Sequence, residues 1–180
     1  ELLESRAKQS IGGRLRATLA LDARRGSSSD LELGPALGAI LARRGITSLF
    51  SHQAEALGFV RAGRDVLVST ATASGKSLIY DLAIAERALA RRDARALLLF
   101  PLKALEQDQL QSLRADFAAL PVLEGPTAEI YDGDTPVAKR TAIRKSFPRV
   151  VISNPDMLHL GVLGNWTTWG PFLADLKPSG

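Results

Sequence analysis

The 180-residue chain has no cysteine, a single methionine, two histidines and an aromatic content of only 6%. Without cysteine there is no disulfide framework and no thiolate-held metal, which leaves the fold to its hydrophobic core and sets the expectation of a cytoplasmic protein. His52 and His159 are too far apart in sequence for a zinc-ligand spacing. Long apolar runs are also missing. The longest, Ala96 to Leu102, falls far short of the roughly 20 residues a membrane helix needs, so no membrane partner is expected. The opening Glu1-Leu2-Leu3-Glu4 has no basic segment followed by an apolar block, so no secretory signal is read there.

What is present is an ordinary soluble composition, 46% hydrophobic and 23% charged, in a chain long enough for one domain with a proper core. The net charge of +4 favours polyanionic partners but is too modest to decide the matter. The chain does not start with methionine, and Lys177-Pro178-Ser179-Gly180 follows an element that leads nowhere. Both ends read as cuts in a longer polypeptide.

Residues 1–34 are polar and arginine-rich, with a Gly26-Ser27-Ser28-Ser29 loop, and read as an N-terminal extension; residues 35–180 read as a partial domain. Leu37, Ile40 and Leu41 have helical spacing between Pro35 and Gly45, and a second helix is expected from Ser51 to Ala62, stopped by Gly63. Strands and helices then alternate. Strands are expected at Val66-Leu67-Val68 (short and buried), Ala94–Phe100, Thr127–Tyr131 and Arg149–Ser153. The helices between and after them are Ser77–Ala90, one carrying Leu110, Leu113 and Phe117 on a single face, Pro136–Lys145 and Pro155–Leu160. Such alternation implies an α/β fold, a parallel sheet flanked by helices.

The first strand runs into Thr70-Ala71-Thr72-Ala73-Ser74-Gly75-Lys76-Ser77, which opens directly into a helix. Small residues there let backbone N–H groups wrap a phosphate where the helix N-terminus adds positive potential. Lys76 would reach the β- and γ-phosphates and Ser77 would ligate Mg²⁺. Thr70 stands where the strict P-loop pattern has glycine. The alternative, a solvated lysine beside a serine cap, leaves the run of small residues unexplained.

In a parallel sheet all strand C-termini share one rim, where ligands bind. The later strands end in Pro101-Leu102-Lys103, Asp132-Gly133-Asp134-Thr135-Pro136 and Ser153-Asn154-Pro155-Asp156. Thr135 before Pro136, and Asn154 before Pro155, have the form of an N-cap followed by the first helical residue. Helix N-termini along that rim, with Lys103, have donors enough to follow a phosphodiester chain, although stability alone explains such caps as well. Arg140, Arg144 and Lys145 read as a solvated face, and His159 as a packed or surface residue. Trp166 and Trp169 either seal the core or stack on bases. Arg43-Arg44 and Arg91-Arg92 close helices and complement their dipoles.

With these strings in order, the sequence resembles superfamily 2 helicases, and most closely the DEAH-type DNA helicases of the MrfA kind, which are RecQ-related. The telling stretches are Leu49-Phe50-Ser51-His52-Gln53-Ala54-Glu55-Ala56, residues 70–78, Phe100 to Leu105 with Asp108-Gln109-Leu110, Tyr131 to Pro136, and Ser153 to His159. The resemblance covers about residues 36–176 and implies a RecA-like P-loop domain using ATP and Mg²⁺. It implies that Gln53 reads adenine, that Thr72, Ala73, Ser74, Gly75, Lys76 and Ser77 enclose the nucleotide, with Lys76 catalytic, and that Ser77 holds the metal. It further implies that Pro101, Lys103, Gly133, Thr135, Asn154 and Pro155 line a bound strand, single-stranded DNA or RNA. Leu102 departs from the pattern where a threonine often contacts the backbone.

The family's acidic Asp-Glu-Ala-His box, which handles Mg²⁺ and the attacking water, does not occur in these 180 residues. Asp132, after a strand, is a poor substitute, since Gly133 beside it fits close backbone approach better. The chain thus reads as the front of a first helicase domain, ending before the Walker B strand, with the remaining helicase domains outside it. By itself it is expected to bind nucleotide weakly without turning it over. A small P-loop kinase or other NTPase, and a binding module without catalysis, stand as the rival readings.

Overall fold

The computed structural model describes residues 19–20 and 28–29 by their backbone, and residues 31–70, 74–91, 93–120 and 127–176 in full. The described residues fall into two compact units, one within 1–32 and 48–83, the other within 33–47 and 84–180.

The larger unit is built on three parallel strands, β5 (Ala96–Leu99), β7 (Val150–Ser153) and β6 (Ala128–Ile130), in the spatial order β5-β7-β6. β7 is central: its Val150, Val151 and Ile152 are fully buried, as a strand covered on both faces requires. Between β5 and β6 runs helix α4 (Lys103–Ala118), whose Leu110, Leu113 and Phe117 are all buried, as their spacing predicts. Between β6 and β7 runs α5 (Val137–Ser146), and after β7 come the single turn α6 (Pro155–Met157), a π-helical turn over Leu158–Val162 and helix α7 (Trp166–Ala174). The core holds Tyr131, Ile143, Val151, Val162, Trp169 and Phe172. Trp169 meets Tyr131 edge-on at 4.8 Å between ring centroids and Phe172 at 5.4 Å. Of the two tryptophans, Trp169 therefore seals the core, while Trp166 is exposed. Gly161, in the π turn, leaves no room for a β-carbon, which would lie 2.4 Å from the Met157 methyl carbon.

Helix α1 (Pro35–Arg43) belongs to the same unit and buries Leu37, Ile40 and Leu41. Arg43 stands in its last turn and Arg44 at its C-cap, as expected; in addition both guanidinium groups converge on the buried Asp116 carboxylate of α4, and Arg44 donates to Ser112 Oγ at 2.9 Å. A buried carboxylate needs such partners, and sequence spacing does not announce them across 72 residues.

In the other unit, β3 (Leu49–Phe50) pairs antiparallel with β2 (Ser28–Ser29) and leads straight into α2 (Ser51–Arg61), which Gly63 ends at φ +69°. β4 (Val68–Ser69) pairs in parallel with β1 (Leu19–Ala20) and precedes α3 (Lys76–Ala90). Here the expectation of a buried Val66-Leu67-Val68 strand fails. The strand is shifted to Val68–Ser69, Leu67 is 55% exposed, and β4 forms its ladder with β1 rather than with β5, β6 or β7. Apolar residues report a preference for burial, not which strand lies next door. No helix among the described residues is long and apolar enough to cross a membrane.

Candidate functional site

The turn between β4 and α3 is held by hydrogen bonds from three directions. Gly75 adopts φ +71°, open to glycine and strained for other residues. Its carbonyl accepts from Leu78 N–H at 3.1 Å and from Gln53 Nε2 at 3.0 Å. A β-carbon on residue 75 would stand 2.5 Å from that same nitrogen, so the Gln53 amide would have to move to admit it. His52 Nε2 lies 3.1 Å from the Ser74 carbonyl. The Thr70 and Ser74 hydroxyls bond to each other at 2.5 Å. Thr70 thus closes the loop through its side chain at the position where a glycine would have left it open.

Lys76, the first residue of α3, turns its ammonium back into the loop and donates to the Thr70 carbonyl at 3.0 Å. Ser77 follows it in the first helical turn, which carries no acidic residue. The helix N-terminus, the lysine and the serine make a donor set suited to an anion with a bound cation. No cluster of three or more acidic or histidine ligands exists among the described residues. Thr72 and Ala73 lie outside the described residues. Gln53 is buried: its Oε1 accepts from Phe50 N–H at 2.9 Å while Nε2 holds Gly75. That leaves one amide hydrogen and one lone pair of Gln53 with no hydrogen bond among those described.

The larger unit carries the three strand-end turns. Because β5, β7 and β6 are parallel, Pro101 to Lys103, Asp132 to Thr135 and Asn154 to Pro155 emerge at one edge. Lys103 forms an exposed ion pair with Asp134, which raises the lysine's pKa through the hydrogen bond first and the charge second. Pro101, Lys103, Gly133 and Pro155 are exposed and Asn154 is half-buried. Asn154 caps α6 as its sequence predicts, its Oδ1 accepting from Met157 N–H at 2.9 Å. Thr135 does not cap α5; that position is taken by Pro136. Its hydroxyl donates to Asp132 Oδ1 at 2.6 Å, and Thr135 N–H donates to the same oxygen at 2.7 Å. The residue is buried as the lock of the turn, its hydroxyl engaged with Asp132 instead of accepting from the N–H groups of the helix end. Gly133 has no need of glycine on the protein's own account: a β-carbon there meets nothing within 4 Å. An open cleft of about 390 Å³ beside these turns is lined by Lys103, Arg114, Lys139, Asp132 and Asp134 among others.

Beneath the turns sits Glu106 of α4, 1% exposed. Its Oε1 accepts from Asn154 Nδ2 at 3.3 Å, while its Oε2 is buried without a hydrogen-bond partner among the described residues. Burial above all, then the Asp132 charge, pushes the Glu106 carboxyl above its ordinary value of 4.5, against the Asn154 hydrogen bond that pulls it down. Sequence reasoning missed Glu106, Asp134 and His52. Asp134 sits inside a quoted stretch and Glu106 just beyond one, but they face partners 31 and 48 residues away, and nothing local signals those contacts.

Comparison with known proteins identifies the family and the fold. The model of the DEAD/DEAH box helicase family matches residues 50–176. The ATP-dependent helicase HRQ1 of Saccharomyces cerevisiae is 40% identical over 130 residues, covering 72% of this chain and 12% of that protein. The ATP-dependent helicase YprA of Bacillus subtilis is 40% identical over 139 residues, covering 77% of this chain and 18% of its own length. The chain thus spans less than a fifth of these curated relatives. The crystal structure of the DUF1998 helicase MrfA bound to DNA and AMPPNP superposes with a TM-score of 0.79 at 36% identity, over 86% of this chain and 22% of that one. The fold is the RecA-like α/β arrangement of such helicase domains, and the chain belongs to the DEAD/DEAH box helicase family.

Proposed function

We propose that this chain is the nucleotide-binding and strand-gripping part of an ATP-dependent helicase that acts on DNA in the cytoplasm, with residues 35–180 forming part of its first RecA-like domain behind an extension of residues 1–34. The observation that carries the reading is Gly75: left-handed, in close approach to the Gln53 amide, and directly ahead of a lysine at a helix N-terminus. A turn built that way suits close approach by a phosphate. ATP with Mg²⁺ supplies the phosphoanhydride whose cleavage drives such motors. The chain's own residues bind and orient it. Lys76 exchanges the Thr70 carbonyl for the β- and γ-phosphate oxygens, backbone N–H groups from Thr72 to Ser77 enclose the β-phosphate, Ser77 Oγ holds the cation, and Gln53 offers its remaining hydrogen and lone pair to adenine.

A single strand runs along the other turns, touching Pro101, Lys103, Gly133, Asn154 and Pro155 through backbone and ammonium donors. Lys103 leaves Asp134 for a phosphate as it does so. Backbone contacts of this type carry little sequence information. Thr135 acts indirectly, by keeping the Asp132–Thr135 turn closed. Single-stranded DNA is favoured over RNA as substrate on the strength of the MrfA–DNA structure at 36% identity.

The test is a titration with a fluorescent ATP analogue and, separately, with labelled single-stranded DNA and RNA of matched sequence. Lys76→Ala should weaken nucleotide binding at least about tenfold, roughly 1.4 kcal/mol, and leave strand binding unchanged. Nucleotide affinity unaltered by K76A would remove the phosphate-site reading. Equal or tighter binding of the RNA would remove the preference for DNA.

A further inference from the structure

Two consecutive residues of α2 hold two consecutive carbonyls of the phosphate-binding turn. Gln53 Nε2 donates to the Gly75 carbonyl at 3.0 Å, and His52 Nε2 lies 3.1 Å from the Ser74 carbonyl. A carbonyl oxygen can only accept, so in this contact the hydrogen sits on Nε2 of the imidazole. The ring itself is held, stacked on Phe50 with centroids 5.8 Å apart and 12° between the planes. Phe50 serves both residues, because its N–H also fixes Gln53 Oε1 at 2.9 Å. On the loop side, the Ser74 hydroxyl bonds to that of Thr70, and Lys76 Nζ lies 3.4 Å from it. Ser74 is therefore tied to the loop by its side chain and to α2 by its backbone. The Gly75 N–H, in the same peptide as the Ser74 carbonyl, has no hydrogen-bond partner among the described residues.

We propose that His52 is a positioning residue for nucleotide binding: its Nε2–H anchors the Ser74 carbonyl to α2 and so keeps the Gly75 N–H available to a phosphate oxygen. The inference rests on the nucleotide reading given above, which assigns the loop its ligand without using His52. The Ser74–Gly75 peptide needs such an anchor because it borders a glycine, which accepts either sign of φ and resists rotation less than any other residue. Unanchored, that peptide samples orientations that present an oxygen to the incoming anion, and selecting the right one then weighs against binding. With His52 in place the selection is made before the nucleotide arrives. The imidazole acts through the Ser74 backbone, so its role requires a donor at the Nε2 position and not an aromatic ring or a positive charge.

The test sets two variants of opposite character against the native chain. His52→Phe keeps an aromatic ring to stack on Phe50 but has no donor; His52→Gln gives up the ring and places an amide N–H where Nε2 stood. Each is titrated with a fluorescent ATP analogue in the presence of Mg²⁺, and thermal melts check that both fold. H52F should bind the analogue about fivefold more weakly, the scale of one hydrogen bond, and H52Q should stay within about twofold of the native chain. Native-like binding by H52F with a loss in H52Q would show that ring packing holds the loop, and would overturn the inference. Equal affinities in all three chains, or equal losses in both variants, overturn it as well and leave the nucleotide reading to stand on K76A. A native chain that binds no analogue overturns that reading, and the inference falls with it.

Discussion

Gly75→Ala is the sharpest test of the phosphate-binding turn, because its effect divides into two parts that other glycines separate. The first part is conformational. An alanine held at φ +71° costs roughly 1–2 kcal/mol relative to glycine. The second is steric: the new β-carbon would lie 2.5 Å from Gln53 Nε2, so the buried amide must move and its hydrogen bond to the Gly75 carbonyl is lost, about 1 kcal/mol more. Gly45 and Gly63 supply the control, with φ of +66° and +69° and nothing within 4 Å of the added carbon. Alanine there reports the first part alone. In thermal melts of the 180-residue chain, G75A should fall by roughly 5–10 °C and G45A or G63A by about half as much, given about 2–4 °C per kcal/mol at this size. Adding Gln53→Ala closes a double-mutant cycle, in which G75A should cost about 1 kcal/mol less once the amide is gone. Equal losses at positions 45, 63 and 75, or strict additivity in the cycle, would refute the close approach of Gln53 to the loop.

Further outcomes follow from the same contacts. Asp116→Ala strands Arg43 and Arg44 on α1 and should cost about 2–3 kcal/mol in chemical denaturation, less than a fully buried pair because Arg43 is 37% exposed. Trp169→Ala empties the centre of the aromatic core and should cost about 3–5 kcal/mol by the same measurement. Gly133→Ala should leave stability level or slightly raised while weakening strand binding by anisotropy, because only an outside ligand crowds that position. Folding stability should also depend on Glu106. Its folded-state pKa is raised, so its contribution is complete below about 4.5 and is lost as pH rises through the higher folded value; E106Q melts should lack that component.

Much of the element order was readable from spacing and punctuation. Pro35 and Gly45 bracketed α1, Ser51 and Gly63 bracketed α2, and the Leu110, Leu113, Phe117 stripe fixed the buried face of α4. These are local signals, and local physics decides them. Strand neighbours are not local. The alternation gave parallel direction but not the order β5-β7-β6, nor the pairing of β4 with β1. At the candidate site, Gly75, Lys76 and Asn154 followed from the pattern, whereas Thr135 turned inward because Asp132 competes for its hydroxyl. Long-range polar partners, such as Asp116 for Arg43 and Arg44 or Glu106 for Asn154, left no trace in spacing because side chains that meet across a fold need share no period.

The double acceptance at the Gly75 carbonyl has a consequence for polarity. A trans peptide sets C=O and N–H on opposite sides of one plane. With the oxygen pinned by Gln53 and Leu78, the amide hydrogen of Lys76 is aimed the other way, away from both of those donors. The peptide is therefore denied the flip that would turn a carbonyl oxygen toward an arriving anion. Gln53 and Leu78 together thus preset the polarity of this one peptide, with its N–H and not its oxygen left facing away from them.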